Sequence, residues 1–189
     1  MSPDIIVLGV FMADTTHRAA RMPRMGETIH GTSFALGPGG KGSNQAVAAA
    51  RAGANVAFLT KLGQDAFADM ALKLWAEAGV ASLALQTPEH PTGAAFIFLD
   101  DATGDNAIII SPGSAGTISP DDVEARAAEI AQAKVFVTQL EQPLAAAERA
   151  LAIARAGGAM TILNPAPAAN IPDEMLALCD FVTPNETEA

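Results

Sequence analysis

A glycine-rich segment that leads directly into a predicted helix carries the strongest chemical signal of the sequence. It comprises residues 37–45 and reads Gly-Pro-Gly-Gly-Lys-Gly-Ser-Asn-Gln. Glycines let a ligand approach the backbone closely, and unpaired N–H groups at the start of a helix attract oxygen atoms. Lys61, rather than an acid, ends the next predicted strand, which argues against a dinucleotide-binding turn, and Gly42 after Lys41 argues against a Walker A loop. The segment therefore indicates a ligand-binding helix start, with an ordinary flexible loop as the alternative.

Acidic and amide side chains follow three of the predicted strands. Asp14, Glu141 and Asn185 each come after a short apolar run, and Glu188 stands three residues beyond Asn185. Ligands of open α/β sheets bind at the carboxyl ends of the strands, so all four are candidate binding residues. Each has a structural alternative: a turn for Asp14, a first-turn helix acid for Glu141, and a capping box for Asn185 with Glu188.

Short apolar runs that alternate with helical segments must position these side chains. Strands are predicted over residues 5–8, 56–60, 135–138, 160–163 and 181–183. Helices are predicted over 43–52, over 64–78, from Ser119 onward, and from Pro143 to the glycines at 157–158. Trp75 lies beside the predicted apolar face of the second helix, and we assign it no function. This alternation predicts an α/β fold with a doubly wound, mostly parallel sheet.

Two segments depart from the alternation, at about residues 11–36 and 93–110. The second contains two apolar runs separated by a turn-rich stretch, which is typical of a β-hairpin. We expect both segments to form a small antiparallel sheet, here called the lid, beside the main layer and in a position to cover a cleft.

Composition excludes several classes of function. The net charge of −10 disfavours nucleic-acid binding. Cys179 is the only cysteine, which excludes an intrachain disulfide and a thiolate zinc cluster. No stretch approaches the roughly 20 apolar residues of a membrane span. The histidines lack metal-binding spacing, and the aspartates at 100, 101 and 105 are typical of a solvated turn. A cytoplasmic protein with no membrane or nucleic-acid partner is expected.

Several segments, in order along nearly the whole chain, resemble the ribokinase/phosphofructokinase-B family of carbohydrate kinases. They are Gly9–Asp14, Pro23–Thr28, Gly39–Ala48 followed by Arg51–Ala54, Gln139–Glu141, Asn164–Ala168 and Thr183–Ala189. The resemblance implies ATP-dependent phosphorylation of a sugar hydroxyl. Within the family, the segments 139–141 and 164–167 are most similar to the kinases that convert D-ribose to ribose 5-phosphate. A homodimer formed through the lid is also implied.

The resemblance implies a role for each candidate residue. The sugar is contacted by Asp14, Gly40, Lys41, Gly42, Ser43, Asn44 and Glu141. Asn185 contacts the nucleotide phosphates, and Glu188 organises Mg²⁺ through water, which suits an ion that keeps several waters. Carboxylates and amides suit a sugar because they hydrogen-bond hydroxyl groups.

The sequence departs from the family pattern in two respects. Met12 stands where these kinases commonly have asparagine, and a thioether cannot replace the hydrogen bonds of an amide, so the identity of the sugar stays open. The Gly-Ala-Gly-Asp motif that carries the general base is not in the sequence, nor is the expected K⁺ site. We therefore expect residues 1–189 to be the N-terminal part of one family domain, without its catalytic base. The alternatives are a kinase of fructose, of a modified sugar or of a nucleoside, and a non-catalytic sugar-binding fragment.

Overall fold

The computed structural model describes residues 2–188, in which short strands alternate with helices. The strands are β1 (Ile5–Leu8), β2 (Met12–Ala19), β3 (Ser33–Gly39), β4 (Val56–Leu59), β5 (Lys61–Leu62), β6 (Ala81–Ser82), β7 (Leu85–Gln86), β8 (Ala94–Asp100), β9 (Asn106–Ser111), β10 (Val135–Thr138), β11 (Met160–Leu163) and β12 (Phe181–Val182). The α-helices are α1 (Lys41–Arg51), α2 (Ala66–Ala78), α3 (Pro120–Glu124), α4 (Ala127–Gln132), α5 (Leu144–Ala156) and α6 (Asp173–Leu176), and a 3₁₀ helix spans Gly113–Thr117.

Six parallel strands form the main sheet, in the order β12-β11-β10-β1-β4-β6. The central strand β1 pairs in register with both neighbours, so that Leu8 lies opposite Leu59 on one side and Thr138 on the other. All the strands consequently end at one edge. From β1 the chain adds β4 and β6 on one side and then β10, β11 and β12 on the other. Open α/β sheets bind ligands at the point where the strand order reverses in this way.

Helices cover both faces of this sheet. Ile6 and Leu8 of β1 point to one face and pack in a core with α3, α4 and α5, whereas Val7 points to the other face and packs with α1 and α2. All three side chains are buried. Burial on both faces explains why β1 is a continuous apolar run. The predicted doubly wound α/β fold is confirmed.

The lid is a separate four-stranded sheet in the order β3-β2-β8-β9. The two hairpins are antiparallel, but the central pair β2–β8 is parallel, so the sheet is mixed where we expected only antiparallel pairs. A hydrogen bond from the Ala13 N–H to the Gly93 carbonyl, at 2.9 Å, joins the starts of β2 and β8. The lid also extends beyond the expected limits, with β3 ending at Gly39 and β9 at Ser111.

Trp75 lies in the centre of the core rather than beside the apolar face of its helix. It is fully buried with edge-to-face contacts to Phe58 and Phe11, at centroid distances of 4.9 and 5.9 Å. Its Nε1–H donates to the Ser43 hydroxyl at 2.9 Å. This bond ties α2 to the first turn of α1. None of the helices within residues 2–188 has both the length and the apolar character needed to cross a bilayer.

Trp75→Phe is expected to lower the free energy of unfolding by about 2 kcal/mol, because the smaller ring leaves space and the hydrogen bond to Ser43 is lost. Urea denaturation measures the change. In a double-mutant cycle with Ser43→Ala, we expect a coupling of about 1 kcal/mol. Strictly additive effects of the two substitutions would show that the bond contributes nothing.

Candidate functional site

The glycine-rich segment lies at the junction of two elements: β3 ends at Gly39 and α1 begins at Lys41, with Gly40 alone between them. Gly40 precedes the first helical residue with φ of 92°, a conformation that L side chains rarely adopt, and as a glycine it has no side chain with which to cap the helix. Gly42 packs directly on Gly9: a Cβ added to Gly42 would lie 2.8 Å from the Gly9 Cα. Small residues at both positions bring the start of α1 against the carboxyl end of β1.

Glu141 supplies the acid that the first turn of α1 lacks. Its Oε2 accepts a hydrogen bond from the Lys41 backbone N–H at 2.8 Å, and the first turn contains no acidic residue of its own. A carboxylate is favoured at this position by the unpaired N–H groups and the helix dipole. One alternative from the sequence was that Glu141 is a first-turn acid of the helix that follows it, α5. Glu141 does act as a first-turn acid, but of α1, a hundred residues away in the sequence.

Asp14 lies in the lid strand β2 and not at the end of β1, which corrects our expectation. Its carboxylate rests against Gly39, where an added Cβ would overlap it, so the glycine makes room for the acid. Asp14 is also close enough to Glu141 to raise the pKa of that carboxyl. Two acids from different elements therefore meet at the N-terminus of α1.

Burial dominates the electrostatics of this acid pair. It raises the pKa of Glu141, and the Asp14 charge raises it further, while the hydrogen bond and positive charge of Lys41 act in the opposite direction. Burial also raises the pKa of Asp14. Both carboxyls consequently take up protons at a higher pH than ordinary aspartate and glutamate.

A cavity of about 260 Å³ opens beside the acid pair. Six residues line it: Met12, Lys41, Ile110, Leu140, Glu141 and Pro167. It is smaller than the roughly 300–1,000 Å³ of sites for drug-sized ligands. Another cavity, of about 320 Å³, is lined by Asp65, Phe67 and Thr92 among others. We place the candidate site in the cavity beside the acid pair. In the other cavity, Asp65 already uses its oxygens for the α2 cap and the Thr92 N–H.

Of the predicted sugar-contacting residues, Lys41 and Glu141 line this cavity. Ser43 is buried and bonded to Trp75, so it supports the helix start from behind. Asn44 is exposed and lines a neighbouring cavity with Pro38 and Arg51. The structure therefore brings together Asp14, Lys41, Glu141 and the backbone of Gly40 and Gly42.

A row of side-chain amides connects the site to the edge of the sheet. The Gln139 amide donates to the Gln45 side-chain oxygen, the Gln45 amide donates to Asn164 at 3.5 Å, and the Asn164 amide donates to the Thr183 carbonyl at 2.8 Å. The row spans the carboxyl ends of β10, β11 and β12. All of these residues lie in segments that resemble the family, but no local pattern in the sequence indicates that they contact one another.

Asn185 and Glu188 adopt the capping-box arrangement that the sequence offered as an alternative. The Asn185 Oδ1 accepts from the Glu188 N–H, and the Glu188 Oε2 accepts from the Asn185 N–H, each at 3.0 Å. Both residues follow β12, at the same edge of the main sheet as Glu141. Within residues 2–188, no three His, Cys, Asp or Glu side chains are grouped to bind a metal ion directly.

We expect ligand affinity at this site to fall as pH falls through the raised pKa of Glu141, above the usual carboxyl range. Protonation removes an acceptor for hydroxyl groups and weakens the bond from Lys41. Stability of the unliganded protein changes in the opposite sense: a raised carboxyl pKa means that the folded state binds more protons, so stability rises as pH falls through that range. Calorimetry and urea denaturation between pH 4 and 8 check the two slopes. A Glu141→Gln variant that keeps the same pH dependence of binding would contradict the assignment.

Comparison with known proteins identifies the family. The model of the pfkB family of carbohydrate kinases matches residues 2–189. The chain is 39% identical over its full length to a ribokinase of Haemophilus influenzae and 38% identical over 98% of its length to a deoxyribokinase of Salmonella typhi. It spans 62% and 61% of the lengths of these two relatives.

Solved structures agree with the sequence relatives. A ribokinase of Arabidopsis thaliana, complexed with ribose and ATP, superposes with a TM-score of 0.88 at 30% identity, covering 100% of this chain and 62% of that one. Because the family model extends over residues 2–189, this chain belongs to the pfkB family of carbohydrate kinases.

Proposed function

We propose that the protein that carries this chain phosphorylates a sugar hydroxyl with ATP, as a ribokinase that converts D-ribose to ribose 5-phosphate. The observation that carries the proposal is the small cavity in which the half-buried Glu141 meets the start of α1, with Asp14 beside it. The carboxylates accept bonds from sugar hydroxyls, and the helix start offers N–H donors. Relatives named ribokinase, and one that is complexed with ribose and ATP, support this choice.

The sugar is held by the residues around the start of α1. Asp14 and Glu141 accept from hydroxyls, Lys41 donates from the cavity wall, and Gly40 and Gly42 contribute their backbone at the helix start. The Ser43 N–H already donates to the Val10 carbonyl at 3.3 Å, so Ser43 supports the helix start through its hydroxyl, which accepts from Trp75. Asn44 reaches the sugar only from the neighbouring cavity, so we expect its contribution to be smaller.

The nucleotide lies beside the end of β12, where Asn185 contacts its phosphates. Glu188 uses one carboxylate oxygen for the Asn185 N–H, and a carboxylate has further lone pairs with which to accept from a metal-bound water. Through such a water Glu188 would hold an Mg²⁺ ion, with the substrate phosphates as its other ligands, which is the usual mode for this ion. ATP supplies the transferred phosphoryl group when bound. We assign no general base and no K⁺ ligand within residues 1–189.

Phosphorylation is tested with the full-length protein, ATP, Mg²⁺, K⁺ and a panel of sugars led by D-ribose, including fructose and a nucleoside. We expect sugar-dependent release of ADP, and calorimetry with the 189-residue chain to detect sugar binding without turnover. Release of ADP only with fructose or the nucleoside would assign another member of the family. Absence of both turnover and sugar binding in the full-length protein would overturn the proposal.

The domain and its assembly belong to the same proposal. Residues 1–189 form the N-terminal part of one domain, with β2, β3, β8 and β9 as its lid. The lid exposes large apolar side chains, including Phe34 at 60% and Ile109 at 63%, which favours a homodimer through this sheet. We place this dimer in the cytoplasm. Light scattering is expected to give the dimer mass for the full-length protein, and Ile109→Lys to give the monomer mass. A wild-type protein that is monomeric at all concentrations would contradict the dimer.

A further inference from the structure

The row of side-chain amides beside the site runs in one direction along its whole length. The Thr183 carbonyl can only accept, so the amide nitrogen of Asn164 must face it. The Asn164 oxygen then faces Gln45, whose nitrogen donates to it at 3.5 Å, the longest contact of the row. The Gln45 oxygen in turn accepts from the Gln139 nitrogen. Reversing one amide sets two oxygens or two N–H groups against each other, so the orientation at one end fixes that at the other.

The row ends on a buried oxygen that has no partner. Gln139 is fully buried, and its Oε1 makes no hydrogen bond within residues 2–188. This oxygen lies against the backbone of Gly9 and Gly42, where a Cβ added to either glycine would come within 2.8 Å of it. An unpartnered buried oxygen lowers the stability of the fold. The orientation of the row therefore needs a reason other than stability.

The two ends of the row lie at the two proposed ligand sites. Gln139 precedes Glu141 by two residues, and its Oε1 rests on Gly42 in the first turn of α1, where we place the sugar. Thr183 precedes Asn185 by two residues, where we place the nucleotide phosphates. Between these ends the row crosses the carboxyl ends of the adjacent strands β10, β11 and β12. It is thus a direct side-chain connection from one ligand to the other.

From this arrangement we infer that Gln45 and Asn164 are positioning residues, which hold the sugar and the ATP phosphates at the spacing that phosphoryl transfer needs. The inference rests on the proposed function, because that function assigns the two ligands to the ends of the row. Each ligand contacts one end, so each binds normally when the row is interrupted. Transfer of the γ-phosphoryl group to the sugar hydroxyl, with release of ADP and of the hydroxyl proton, depends on both ends together. A misplacement of about 1 Å can lower such a rate by on the order of 100-fold.

Interrupting the row at Gln45 is the main test. Gln45→Met keeps the length of the side chain and removes both amide contacts. In the full-length protein we expect kcat to fall by roughly 10–100-fold, while calorimetry gives affinities for the sugar alone and for ATP with Mg²⁺ within about threefold of wild type. Gln132→Met is the matched control: this glutamine ends α4, where it accepts from the Ser2 hydroxyl, and its loss should leave kcat unchanged.

A second variant interrupts the next link of the row. Asn164→Asp cannot donate to the Thr183 carbonyl, so we expect the same loss of kcat with the same preserved affinities. Asn170→Asp, exposed in the loop that follows, introduces the same charge outside the row and should keep the wild-type kcat. Thermal unfolding shows which variants are folded, and one folded variant is sufficient for the test. If neither row variant folds, the row is structural and the inference is overturned.

The outcomes separate this inference from the proposed function. A wild-type kcat in a folded row variant overturns the inference and leaves the sugar kinase intact. A loss of sugar or ATP affinity that accounts for the whole fall in kcat/KM also overturns it, because the row would then shape one site instead of aligning two. A wild-type protein that phosphorylates no sugar overturns the proposed function, and with it the inference, since no transfer is left to align.

Discussion

Gly40→Ala is expected to abolish measurable sugar binding and to lower the free energy of unfolding by at least about 3 kcal/mol. Two costs combine at this position. The backbone at φ 92° and ψ 127° is strained for any residue with a Cβ. The new Cβ would also lie 2.9 Å from the Cα of Phe11 and still closer to the Val10 carbonyl oxygen, so the start of α1 must move away from β1. That movement separates the Lys41 N–H from Glu141.

Gly53→Ala is the matched control, because it lies just beyond the other end of α1. Gly53 has a similar φ of 96°, but an added Cβ there meets nothing within 4 Å. Only the backbone cost remains, roughly 1–2 kcal/mol, and sugar affinity should be unchanged. Urea denaturation and calorimetry on both variants give the comparison. Equal losses of stability, or normal sugar binding by Gly40→Ala, would show that the close approach to Val10 and Phe11 is not required.

Local patterns in the sequence were sufficient to predict five of the six strands of the main sheet. A strand buried on both faces needs a continuous apolar run, and each of the five predicted runs is a parallel strand. Helix starts were also readable where the signal is local: Ser119 and Asp122 form the capping box of α3, with Pro120 at its first position. The strand β6 was not predicted, because two exposed residues carry no periodicity.

The candidate site was predictable in its residues but not in its contacts. Glu141 and Lys41 are a hundred positions apart, and only the packing of β10 beside β1 brings the acid to the start of α1. Sequence order placed Asp14 after β1, although it lies in the next strand, because no turn signal separates the two strands. The cavity is lined by Met12, Ile110 and Leu140 from separate elements, so no single segment of the sequence predicts it. Contacts between distant segments are set by topology, which local patterns do not encode.

Asp14→Asn is expected to weaken sugar binding by roughly 10–100-fold, because a hydrogen bond to a charged acceptor is replaced by one to a neutral amide. The substitution preserves shape beside Gly39, so stability should change little. Asp105→Asn, in the exposed turn between β8 and β9, removes a charge of the same sign and should leave the affinity within twofold or so of wild type. Calorimetry with the preferred sugar measures both variants at pH 8.

The same variant reports on the acid pair. The Asp14 charge raises the pKa of Glu141, so its removal should lower that pKa and shift the pH dependence of the remaining affinity toward lower pH. If Asp14 contacts the sugar but does not interact with Glu141, binding weakens and its pH dependence does not shift. If Asp14 is only structural, the free energy of unfolding falls and the affinity at pH 8 stays normal. Loss of affinity together with a shift to lower pH is the result expected if both carboxylates act on one ligand, because two acids that interact titrate as a coupled pair.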